Sequence, residues 1–191
     1  MTTTASAVIG VIDYRRLRVD GGGFRFDPSH DHSGRQALNT AEDSEDCQDL
    51  FIESLQQFER AQGHDAAVRQ FKRFAVDFLH SMLTALPPAA QPLFSIALAY
   101  RDELTNSAEL DETRLHCWQA IDATDSRYDF QNKTNCALRA VLICLTSEPP
   151  RFDLSETSYW FLAFCAIIED RSDLLPQLAA TYFYDSCGSS D

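Results

Sequence analysis

The chain has 191 residues, of which 29 are acidic and 16 basic, a formal net charge of −13. Nucleic acid and anionic membrane are thereby set aside as partners, because affinity for either depends on Lys and Arg displacing counterions. With 45% hydrophobic residues, a chain of this length buries roughly 70% of its unfolded surface in one core.

Residues 1–42 differ in character from the rest. Val8 to Val19, followed by Asp20-Gly21-Gly22-Gly23 and Phe24-Arg25-Phe26, suit a small β-hairpin, since Asp-Gly and Gly-Gly supply the positive φ angles of a tight turn. Asp27 to Thr40, rich in Ser, His, Asp and Gly, reads as a linker, so residues 1–42 are expected to form a hairpin plus linker or a disordered arm. Met1 to Thr4 has no basic n-region, and the apolar patch from Ala5 to Ile12 is short and broken; a secretory leader is not expected.

A helical domain is expected over 43–185. Its first helix starts near Asp43 or Ser44, carries Cys47, Leu50, Phe51, Leu55 and Phe58, and stops at Gly63. The second runs from Asp65, whose side chain is placed to cap the first turn, to Leu86. Val68, Phe71, Phe74, Ala75, Phe78, Leu79, Met82 and Leu83 follow at steps of three and four, and Pro87-Pro88 ends the series. A third helix takes Pro92 in its first turn and reaches about Leu104, with a break at Asn106-Ser107. A fourth spans about Asp111 to Thr124 with Leu115, Trp118 and Ile121 on one face. The fifth, from Cys136 to Leu145, is apolar over so wide an arc that it belongs at the centre. Asp153 and Glu156 form a capping pair before a sixth helix through Ile168, and the last runs from Ser172 to Phe183 ahead of a disordered tail at 186–191.

Short connections favour antiparallel neighbours, and no fixed-period repeat is present. The expected fold is therefore all-α, a single bundle of about seven antiparallel helices. The longest late apolar run, Tyr159 to Ile168, is about half the length of a membrane span. Six cysteines, at positions 47, 117, 136, 144, 165 and 187, contain no Cys-x-x-Cys pair. Cys117, Cys144 and Cys165 lie among apolar residues and suit buried thiols in a reducing compartment, which points to the cytoplasm.

Reactive machinery is sparse. His30-Asp31-His32 is the only histidine cluster and sits in the polar linker with no third ligand near it. His64-Asp65 is similar to the His-Asp pair of helical metal phosphohydrolases, but Gly63 puts it at a helix start and the residues around His30 and Asp111 do not fit. There is no Gly-x-Ser-x-Gly elbow. Cys117 and His116 are adjacent and diverge by about 100° on a helix. No catalytic residue, cofactor or metal is expected.

Three segments, Arg114-Leu115-His116-Cys117-Trp118-Gln119-Ala120-Ile121, Ala137-Leu138-Arg139-Ala140-Val141-Leu142-Ile143-Cys144 and Phe161-Leu162-Ala163-Phe164-Cys165, together resemble small helical immunity proteins of bacterial polymorphic-toxin systems. The likeness spans about residues 94–180. It implies a cytoplasmic, non-catalytic protein that blocks a toxin through an acidic surface, and it assigns no particular residue.

The expected function is accordingly that of a cytoplasmic protein-binding protein with a basic partner, an immunity protein being one form. Its contact residues are expected in the second acidic stretch: Asp102, Glu103, Glu109, Asp111, Glu112, Asp122, Asp125 and Asp129. The alternatives are an all-helical metal-assisted hydrolase using His64, Asp65, His80 or His116, and a regulatory or scaffold subunit that docks a partner helix.

Overall fold

Three of the helix starts are set by short polar side chains that satisfy free amides of the first turn. Asn106 Oδ1 accepts from the amides of Ala108 at 3.0 Å and Glu109 at 3.1 Å, Asn132 Oδ1 from that of Asn135 at 3.0 Å, and Asp153 Oδ1 from those of Ser155 at 2.8 Å and Glu156 at 3.2 Å. The resulting computed structural model describes residues 34–124, 129–146 and 153–184, with side chains from Asp46 onward. Its helices are α1 (Gly34–Gln62), α2 (His64–Ser81), α3 (Gln91–Arg101), α4 (Ser107–Asp122), α5 (Lys133–Cys144), α6 (Leu154–Ile168) and α7 (Leu175–Ala179). No strand occurs among the described residues, and the fold is an all-α bundle. No helix there is long and apolar enough to cross a membrane.

Several boundaries differ from those expected. α1 begins at Gly34, not at Asp43 or Ser44, because Gln36, Ala37, Leu38, Ala41 and Glu42 favour helix and nothing between them breaks it. Residues 34–40 are thus helical, not linker. The expected hairpin and the tail at 186–191 lie outside the described residues. α2 starts without a side-chain cap. Asp65 stands in its first turn, where its charge complements the helix dipole but its oxygen closes no amide. α2 ends at Ser81, and a 3₁₀ turn over Leu83–Ala85 leads to Leu86, whose ψ of 133° is the extended value that Pro87 imposes on its predecessor.

α3 stops at Arg101 because the amide of Leu104 closes back on the carbonyl of Ala99 at 2.8 Å, with Glu103 in the left-handed region at φ 59°. α4 then begins one turn earlier than expected. Asn106 followed by Glu109 is a cap and not merely a break, and both residues were there to be read. The last segment tightens to 3₁₀ over Ser172–Leu174 and widens to a π turn over Ala180–Tyr184.

The core is aromatic where α1, α2, α6 and the C-terminal segment meet. Phe74 of α2 lies at its centre, with ring centroids of Phe51 at 4.3 Å, Phe78 at 5.4 Å, Phe161 at 6.1 Å, Tyr182 at 6.0 Å and Phe183 at 6.4 Å. The π turn lets consecutive Tyr182 and Phe183 both face α2. α5 is buried nearly all round, from Asn135 through Leu142, and packs against α6, α4, α2 and α3, as its wide apolar arc predicts.

Candidate functional site

Four described cysteines, Cys117, Cys136, Cys144 and Cys165, are buried and free. Burial pushes the Cys117 thiol up to about 12, and that of Cys136 to about 11, against an ordinary value of 9.0. Cys144 and Cys165 are also raised by burial. A thiol held that far from ionisation is no nucleophile at neutral pH. Cys117 Sγ instead donates to the carbonyl of Leu138 at 3.2 Å and joins α4 to α5.

The histidines of the hydrolase alternative are dispersed. His64 opens α2, 2.6 Å from Glu59 Oε1, while His80 closes the same helix, about 24 Å away at 1.5 Å per residue. His116 points outward from α4. Among the described residues, no three His, Cys, Asp or Glu side chains come together as a metal would require.

The seven described acids among those expected to bind a partner do not form one cluster. Asp102 and Glu103 lie just past α3, Glu109, Asp111 and Glu112 in the first half of α4, and Asp122 at its end, about 20 Å beyond Glu109 along the helix. Asp129 serves its own turn: its Oδ1 accepts from the Gln131 amide at 2.9 Å and its carbonyl from Asn135 Nδ2 at 3.0 Å. Asp125 lies outside the described residues.

The acids also differ in how they are neutralised. Arg101 donates to Asp102 at 2.8 Å, which holds the Asp102 carboxyl below the usual 3.8, and Asp102 in turn raises the Arg101 guanidinium. Arg114 meets Asp111 at 3.3 Å. Thr105 donates to Glu109. Glu103 and Glu112 form no ion pair among the described residues.

What the structure does bring together is the outer face of α4. Leu110, Thr113, Cys117 and Ile121 are buried, so the opposite side of a helix with 100° per residue carries Asp111, Glu112, Leu115 and Asp122. Leu115 stands near the middle of that side with 56% of its surface exposed. At the α3–α4 connection Leu104 is 80% exposed and Tyr100 38%. Three of the seven exposed large apolar side chains among the described residues thus belong to the acidic region. The sequence reading assigned Leu115 to the packed face of α4. Asn106 sets the true start of the helix and with it the order of buried positions, which are Leu110, Thr113, Cys117 and Ile121.

A groove of about 560 Å³ is bordered by α2, the end of α3 with Glu103 and Thr105 of the α3–α4 connection, and the end of α5. Arg69, Lys72, Arg73 and Arg101 all line it. Lys72 donates to the carbonyl of Thr146 at 2.6 Å. Arg101 also donates to Asp77, which accepts from the Tyr182 hydroxyl as well. The acidic total of the chain masks this feature, although Arg69, Lys72 and Arg73 stand within five consecutive residues of a chain with 16 basic ones.

No protein-family model matches this chain, and neither a curated protein nor a solved structure does.

Proposed function

We propose that this is a protein-binding protein of the cytoplasm that engages a basic partner through the outer face of α4 and the adjoining α3–α4 connection. The observation that carries the reading is Leu115, exposed among Asp111, Glu112 and Asp122. Protein interfaces combine an apolar centre, which loses water on binding, with a charged rim that steers the approach. Leu115 and Leu104 supply the first, and Asp102, Glu103, Asp111, Glu112 and Asp122 the second. Glu109 lies about 120° around α4 from Leu115 and Asp129 braces its own turn, so the reading rests on the other described acids. The buried free thiols fit a reducing compartment.

An immunity protein that covers the basic active site of a toxin is the specific form we favour, supported by the net charge of −13 and by the acidic face. The test is titration of the purified chain with the product of the adjacent gene, read by calorimetry and by protection of that protein's target. Binding that weakens with salt and is lost in Leu115→Asp supports the reading. Full affinity in Leu115→Asp would refute it.

A further inference from the structure

We propose that the groove between α2, α3 and the end of α5 is a binding site for a small phosphate monoester with an apolar or aromatic body. The groove shares Glu103 and part of the α3–α4 connection with the proposed partner face, so the ligand is tested on the isolated chain with no partner present.

The groove's volume of about 560 Å³ falls in the range of small-molecule sites, which are mostly apolar with a few convergent polar groups. Val68, Val76 and Ala97 form a floor that is at most 5% exposed. Tyr100 stands at the wall with a partly open ring. Above this floor, Arg69 and Arg73 are one turn apart on α2, with Lys72 between them. Like charges at that spacing repel, and Asp65 and Asp77, one turn further out on either side along the same helix, offset only part of that repulsion.

Arg69 and Arg73 are exposed, and neither is hydrogen-bonded or ion-paired among the described residues. Arg101 is held in place by both Asp77 and Asp102, and Lys72 by the Thr146 carbonyl. Two guanidinium forks with the Lys72 ammonium between them match the three oxygens of a phosphate dianion better than the two of a carboxylate. Asp65 and Glu103 also line the groove, and their charge opposes an anion the more strongly the more charge it carries, which favours a single phosphate over a polyphosphate.

The probe is phenyl phosphate, titrated calorimetrically into the full chain at low ionic strength. One-to-one saturable binding is expected, with inorganic phosphate, benzoate and phenol each weaker by about tenfold or more. Arg69→Gln/Arg73→Gln, whose fold is checked by circular dichroism, is expected to weaken phenyl phosphate by about tenfold or more. Arg73→Lys, which keeps the charge and loses the fork, falls between the two. No binding of phenyl phosphate at millimolar concentration, unchanged affinity in the double variant, or equal affinity for benzoate or inorganic phosphate would each overturn the assignment. None of these results depends on the protein partner, so failure here leaves the α4 reading standing.

Discussion

Glu103 adopts a backbone conformation, φ 59°, that costs an L-residue about 1 kcal/mol relative to glycine. It closes α3 where glycine is the usual choice, and its carboxylate stands in the acidic region with no ion pair among the described residues. A strained residue kept at such a corner suits a role in contact rather than in folding. Glu103→Gly is expected to raise unfolding stability by about 1 kcal/mol in urea, while slowing association with the partner. A drop in stability would show that the Glu103 side chain holds the corner. Gly63 is the converse case. Its φ of 87° and ψ of 161° separate α1 from α2, and a Cβ there meets no atom within 4 Å, so Gly63→Ala costs about 1–3 kcal/mol through backbone strain alone.

At the scale of the element, α4 decides the function proposed. Leu115→Ala is expected to leave the melting temperature within about 2 °C, since half the side chain already meets water and surface changes stay within about 0.5 kcal/mol. The same substitution shortens the lifetime of the complex about tenfold or more, as truncation of a central anchor does. Stopped-flow dissociation checks it, and an unchanged lifetime would move the contact elsewhere. The helices themselves were largely legible: steps of three and four in Val68, Phe71, Phe74, Phe78 and Leu79 marked α2, and Asp153 marked the start of α6. The edges were less so. The αL turn at Glu103 carries no glycine to announce it, and the reach of α1 back to Gly34 is a sum of weak preferences. The basic groove was illegible for another reason: a net charge averages over the chain, whereas Arg69, Lys72, Arg73 and Arg101 are gathered by helix packing.

For the whole molecule, stability rests on the aromatic centre, and the buried thiols make it depend on pH. Phe74 is fully buried among six other aromatic rings, so Phe74→Ala costs about 3–5 kcal/mol, a large share of a domain's stability. The thiols give a pH dependence with a definite sign. Folded Cys117 and Cys136 titrate near 12 and 11, whereas unfolded they ionise from about 9.0. The stability they contribute is complete below pH 9 and is lost as pH rises toward 12. Urea midpoints measured from pH 7 to pH 10.5 are expected to fall above pH 9, less steeply in Cys117→Ala; a slope unaffected by that change would assign the effect to other groups.

The central claim is that the acidic, apolar-centred face of α4 meets a basic protein. Its most direct test is a calorimetric titration against the product of the adjacent gene at 50 and 300 mM salt, with wild-type chain and Leu115→Asp. One-to-one binding that weakens about tenfold or more at the higher salt and vanishes in the variant is the expected result. Binding of equal strength at both salts and in both proteins would contradict it.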